Sequence, residues 1–300
     1  MIFIKVLYVS ISLVILFDNL LANDFAQYFT RIRITFLAND NRHATITCSG
    51  IFIHSYWILT AAHCMNMPPI SVTFDYNLAD KVTSKPVRLN RAPKNVYFLQ
   101  HPNYTLNGEN SFIFDIALIK LSQVPKFPDN VMPVKVLELD DSPWPRNSQQ
   151  ETVDRDCIIS SFGTNKFHTH SIAIRYHWKN CECPLISANI LCTKNISVLC
   201  SGDSGAAIIC NNKTVGILNK GGSCNGREFK CNETGFVHTF AYLCPHIAWI
   251  KRYVPIQAKP CYDPLDFQQT MEETLIRSFS SKHFANIYLI TYILSYFARM

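Results

Sequence analysis

Blocks of like charge, internal repeats and low-complexity linkers are all missing from this 300-residue chain, and each absence narrows what it can be. Its 28 lysines and arginines outnumber 22 aspartates and glutamates for a formal net charge of +6, yet the basic residues are scattered. Without a basic block there is no footprint for a nucleic-acid backbone, and nucleic acid is excluded as an expected partner. Without repeats or linkers, the length allows one large domain or two small ones rather than an array. No apolar run reaches the roughly twenty residues that a membrane-crossing helix needs. Zinc-type cysteine spacing is missing too: Cys181 and Cys183 have no second pair nearby, so no metal and no other cofactor is expected.

What is present points to export. Lys5 precedes an apolar run from Val6 to Phe17, and Leu20-Leu21-Ala22 offers a small residue for cleavage, so residues 1–22 read as a signal peptide and the mature chain starts at Asn23. Twelve cysteines in an exported chain read as disulfides, because an oxidising compartment closes them. Asn-x-Ser/Thr sequons at Asn103, Asn195, Asn212 and Asn232 fit the same route and are candidate glycan sites. A secreted, extracellular protein is expected. Short alternating or apolar runs between turn residues favour strands over Ile32–Leu37, Ile51–Ile53, Ala117–Leu121, Ala207–Ile209 and Val215–Leu218, hence an all-β chain.

Three segments carry chemistry: Thr60-Ala61-Ala62-His63-Cys64, then Asp115-Ile116-Ala117-Leu118-Ile119-Lys120-Leu121, then Cys200-Ser201-Gly202-Asp203-Ser204-Gly205. A serine hydroxyl is a poor nucleophile at neutral pH; it needs an imidazole to take its proton and a buried carboxylate to fix that imidazole's tautomer. His63 is the candidate base, Asp115 its orienting partner and Ser204 the nucleophile. Gly202, free of a Cβ, lets its own N–H and that of Ser204 converge on one point, where a developing oxyanion would sit.

From Arg31 to Val254 the chain resembles a chymotrypsin-like (trypsin-family) serine peptidase, and residues 23–254 are taken as that domain. Cys48-Ser49-Gly50 through Trp57 to Cys64 is similar to the family's histidine loop, and His101-Pro102-Asn103-Tyr104 to the stretch before its aspartate. Cys157-Ile158-Ile159-Ser160-Ser161-Phe162-Gly163 resembles its Cys-x-x-Ser-Gly-Trp-Gly run with two substitutions; Gly216-Ile217-Leu218 through Cys224 and Trp249-Ile250 complete the pattern. The resemblance implies two packed antiparallel β-barrels, a short C-terminal helix and an extra C-terminal tail, with His63 and Asp115 on the first barrel and Ser204 on the second. It also implies disulfides Cys48–Cys64, Cys157–Cys210 and Cys200–Cys224, and Cys192 with either Cys181 or Cys183. The leftover cysteines among Cys181, Cys183, Cys231, Cys244 and Cys261 admit several pairings.

The departures matter as much. Family members begin their active form with Ile-Val-Gly-Gly, whose amino group pairs with the aspartate beside the nucleophile, and no such segment stands between Ala22 and Cys48. Asp203 is then a buried carboxylate that must find another cation or let its loop relax. Ala206 and Ala207 replace Gly-Pro, and Asn219 and Lys220 stand where the family has Ser-Trp in the substrate-pairing strand. Gly221 and Gly235 match pocket walls, and Val198, six residues before the nucleophile, matches the pocket floor. A valine there implies an apolar primary preference rather than Lys or Arg. The function implied is an extracellular serine endopeptidase acting on protein or peptide substrates. The alternative is a catalytically weak or inactive homologue that binds a protein partner or inhibitor through its cleft.

Residues 255–300 extend past the family's length. They end in Phe284–Ala298, about fifteen nearly uncharged residues, preceded by Ser278, Ser280 and Ser281 and followed by Arg299. A retained apolar helix lying on the domain or on a membrane surface is one reading; a cleaved lipid-anchor signal, attaching the protein to the outer cell surface, is the other. Cys261, at the tail's start, is expected to be bonded.

Overall fold

The computed structural model describes residues 27–38, 40–76, 87–91, 96–106, 113–122, 136–142, 155–163, 167–176, 181, 190–193, 199–222, 231 and 236–261. The segments taken as signal peptide and as apolar tail lie outside the described residues. Among the described residues, no helix is long and apolar enough to cross a membrane.

The described residues form thirteen strands: β1 Phe29–Leu37, β2 His43–His54, β3 Trp57–Thr60, β4 Pro69–Tyr76, β5 Val87–Arg91, β6 Val96–Gln100, β7 Ala117–Leu121, β8 Arg155–Ser161, β9 His168–Tyr176, β10 Ile190–Thr193, β11 Ala207–Cys210, β12 Lys213–Gly222 and β13 Val237–Tyr242. The first seven form one barrel-like antiparallel sheet in the order β5-β4-β1-β2-β3-β7-β6, and the last six close into a barrel in the order β10-β13-β12-β11-β8-β9. A 3-10 turn (Cys244–His246) and one short helix, α1 (Ile247–Lys251), end the domain.

Local sequence explains the two kinds of strand. In β1 alternation buries Ile32 and Ile34 on one face, while on the other Arg31 and Arg33 close on the fully buried Asp75 of β4 at 2.7 and 2.9 Å. This is a strand, as the alternation predicts, with its two guanidiniums neutralising one carboxylate. In β11 and β13, by contrast, every residue is buried. Ile208 and Phe240 point into the closed barrel, whereas Ala207, Ile209 and Ala241 pack in the cluster that also holds Ile51, Phe52, Leu59 and Leu118 of the first sheet. A strand with apolar surface on both faces needs a continuous apolar run, and the shared cluster is what locks the two sheets together.

Five disulfides among the described residues staple this frame. Cys48–Cys64 and Cys157–Cys210 form as the resemblance implies, and Cys192 takes Cys181 rather than Cys183. One expectation is corrected: Cys200 is bonded to Cys231, not to Cys224, because the Cys231 Cα stands 5.0 Å from that of Cys200, within bridging reach. Cys183 and Cys224 lie outside the described residues. Cys261 is bonded to Cys244, which fastens the start of the tail to the domain.

Candidate active site

His63 sits in a one-turn 3-10 segment, Ala62–Met65, that leaves β3 at the seam. Asp115, 6% exposed, lies just ahead of β7, the strand hydrogen-bonded to β3, so sheet pairing brings the two side chains together. The carboxylate grips its partner twice: Oδ1 accepts the His63 backbone N–H at 2.7 Å and Oδ2 stands 2.7 Å from Nδ1. A carboxylate only accepts, so Nδ1 carries the proton and the Nε2 lone pair is left for another proton. Cys48, His63 and Cys64 also converge, but both sulfurs are committed to one disulfide and cannot ligate a metal.

Ser204 lies on the tight turn before β11. Gly202 and Gly205 take φ of +100° and +83°, where a side chain is strained, and a Cβ on Gly205 would strike the Ser49 carbonyl and the Thr60 hydroxyl. The turn is stitched by Asp203 N–H to Cys200 O at 3.1 Å, Ala206 N–H to Asp203 O at 2.8 Å and Gly205 N–H to Leu218 O at 2.9 Å. These bonds leave the N–H groups of Gly202 and Ser204 uncommitted among the described residues. His63, Gly202 and Ser204 share one cleft of about 640 Å³, whose walls include Thr45, Thr47, Phe162 and the Cys200–Cys231 bridge. No hydrogen bond joins Ser204 to His63 among the described residues; a nucleophile–base contact of this kind tightens when substrate binds.

Asp203 is fully buried. Its Oδ1 accepts the Gly163 backbone N–H, its Oδ2 accepts that of Cys200 at 2.6 Å, and His168 Nε2 of β9 lies 3.3 Å from Oδ1. The same Nε2 is 2.8 Å from the Ser161 hydroxyl. The carboxylate therefore reaches a cation-capable side chain within the chain itself.

Two residues escape the motif reading. Ser49, quoted only as a motif position, spans the seam with its N–H and hydroxyl: its N–H donates to Ser204 O at 2.7 Å and its hydroxyl donates to Gly202 O at 3.0 Å and accepts Phe162 N–H at 3.0 Å, while its carbonyl accepts the hydroxyl of Thr60 in its own sheet at 2.7 Å. His168 has no local signal beyond alternating with His170 in a strand. Of the expected substrate contacts, Asn219 buries its side chain, whose Oδ1 accepts Ala241 N–H at 3.1 Å across a β-bulge. Gly221 lies opposite His238 in the β12–β13 ladder. Val198, Gly235, Asn195 and Asn232 lie outside the described residues, whereas Asn103 and Asn212 are exposed.

Behind Asp115, Phe114 stacks on His101 at 4.7 Å, and His246 and Trp249 close around that imidazole at 5.0 and 4.8 Å. Burial, with a smaller push from the Arg252 charge, lowers the His101 pKa to about 4. His246 is held well below its ordinary value, mainly by its complete burial.

Comparison with known proteins agrees with this geometry. A family model described as Trypsin matches residues 30–246. Kallikrein-8 of Mus musculus is 26% identical over 221 residues, covering 69% of this chain and 76% of the kallikrein. Trypsin II-P29 of Gallus gallus is 24% identical over 221 residues, with 69% and 79% covered. The snake venom serine protease pallabin of Gloydius halys is 28% identical over 221 residues, with 70% and 78% covered. The solved structure of neuropsin, a serine protease expressed in the limbic system of mouse brain, superposes with a TM-score of 0.52 at 20% identity, covering 76% of this chain and 94% of neuropsin; it speaks for the fold.

Proposed function

The chain belongs to the trypsin family of serine peptidases and is a serine-type endopeptidase, and from that premise we propose that it works outside the cell through Ser204, His63 and Asp115. Ser204 Oγ attacks the scissile carbonyl carbon while His63 Nε2 takes the hydroxyl proton. The carbonyl electrons move onto oxygen, where the N–H groups of Gly202 and Ser204 receive the charge. His63 returns the proton to the leaving amine as the C–N bond breaks, leaving an acyl-enzyme. Water then repeats the sequence and releases the acid. The twofold grip of Asp115 on His63 carries this reading, since it orients the base and stabilises the imidazolium. Val198 gives no charge to a Lys or Arg side chain, which supports an apolar residue on the acyl side of the cut. The signal-peptide reading of residues 1–22, the disulfides and the exposed sequons at Asn103 and Asn212 support an extracellular glycoprotein.

The test is a fluorophosphonate probe applied to the purified secreted protein. Ser204 is expected to be labelled, and Ser204→Ala and His63→Ala are each expected to lose about 10⁴-fold or more in peptide turnover while still being secreted. Unlabelled Ser204 in folded protein would leave the cleft as a binding site only. A peptide-library profile dominated by Lys or Arg would overturn the apolar preference.

A further inference from the structure

We infer that His168 is a positioning residue for catalysis: as an imidazolium held against Ser161, it neutralises the buried Asp203 carboxylate and so fixes the Gly202–Ser204 turn that receives the oxyanion. The catalytic consequence rests on the endopeptidase reading; the ion pair does not.

Asp203 stands between the two residues whose N–H groups must converge, and its backbone is tied at both ends, to Cys200 O and from Ala206 N–H. Wherever its carboxylate is anchored, the turn follows. Two backbone N–H groups, of Gly163 and Cys200, hold the oxygens but bring no net charge. A fully buried anion with neutral donors alone carries a large desolvation cost, which a cation in contact offsets. His168 Nε2 at 3.3 Å is placed to do so, and its side chain is 21% exposed, so it can exchange its proton with solvent. The titratable side chains of Asp203, from the nucleophile turn, and of His170, from β9 itself, face His168, and the Ser161 hydroxyl of β8 holds its ring. His170, with its ring 5.0 Å from that of His168, has its pKa lowered by burial first and by the His168 charge second, while Asp203 pulls the other way. Of these two histidines, His168 is the one in ion-pair contact with the carboxylate. The amino group that the family resemblance calls for thus has a side-chain substitute on a strand of the same barrel as the nucleophile.

A neutral imidazole can keep the hydrogen bond but not the charge, which makes the proposal testable by charge. The full secreted chain is compared with His168→Gln, which keeps a donor without charge, and with His168→Lys, which restores a cation. The rate of fluorophosphonate labelling of Ser204 is followed from pH 5 to 10. His168→Gln is expected to slow labelling at pH 7 at least about tenfold, and His168→Lys to recover to within a few-fold of the parent, with its alkaline limit moved up by about two pH units or more, since an ammonium holds its proton longer. Labelling of the Gln variant at the parent rate, or equal loss in the folded Gln and Lys variants, would overturn the assignment. If the parent protein itself is not labelled, the endopeptidase reading fails, and unfolding decides the ion pair. A double-mutant cycle of His168→Gln with Asp203→Asn is expected to show at least about tenfold coupling in the unfolding equilibrium at pH 6, lost by pH 9; additive effects at pH 6 reject it.

Discussion

Asp203 shows how one residue's surroundings decide what its neighbours can be. Gly163 donates its N–H to the Asp203 carboxylate, and a Cβ on Gly163 would overlap both carboxylate oxygens. The glycine is therefore needed for close approach rather than for an unusual φ. Gly163→Ala is expected to push the carboxylate off its donors, costing about 1–3 kcal/mol in urea unfolding and most of the Ser204 labelling. Wild-type labelling with unchanged stability would show that the turn tolerates a shifted carboxylate. At this scale the sequence was informative wherever chemistry demands a residue type beside a cysteine or glycine: His63 is hydrogen-bonded to Asp115 and lines one cleft with Gly202 and Ser204. It was silent on His168 and on the seam role of Ser49, because their partners are 35 and about 150 residues away in sequence and nothing local marks the contact.

At the scale of elements, the strand expectations hold where apolar residues alternate or run on, and the shortfalls are at ends. The expected Val215–Leu218 is the middle of a longer strand, Lys213–Gly222, that starts from a two-residue turn in which Asn211 and Asn212 both take positive φ. Asparagine tolerates that region, so the turn was legible from Asn-Asn only once the hairpin was known. The junction of the Cys244–His246 turn with α1 gives a different consequence, because His246 and Trp249 enclose His101 there. Above pH 6.5 His101 is neutral both folded and unfolded. As the pH falls, the unfolded chain takes up the proton while the folded site resists down to about 4, so stability is lost across that window, by up to about 3 kcal/mol from this group. Burial of His246 adds in the same direction. His101→Phe keeps the ring stack without the proton, and its unfolding free energy is expected to fall less steeply than the parent's between pH 6.5 and 4. Parallel slopes in the two proteins would place the acid sensitivity elsewhere.

For the whole molecule, two β units of local architecture meet in a site that neither could build alone. The shared apolar cluster supplies the bulk of the contact, but it is non-directional and would tolerate small slides of one sheet over the other. The Cys244–Cys261 bridge closes a loop of sequence separation 17 within the second half and holds the tail, with Lys259 N–H reaching Asp141 at 3.1 Å, yet it does not span the seam. Direction comes from Ser49, whose hydroxyl bridges Gly202 O and Phe162 N–H while its N–H holds Ser204 O. One residue of the first sheet thereby sets the nucleophile turn against the histidine turn. Ser49→Ala leaves the Phe162 N–H and Gly202 C=O without this partner, a loss of about 1–3 kcal/mol. Its larger effect is expected on chemistry, since misplacing Ser204 relative to His63 by a fraction of an ångström lowers turnover without weakening substrate binding. Ser49→Ala should therefore lower kcat by about tenfold or more with KM nearly unchanged, and Ser49→Thr, which keeps the hydroxyl, should recover part of it. A rise in KM at constant kcat would instead assign Ser49 to substrate binding and remove it from the alignment of the two halves.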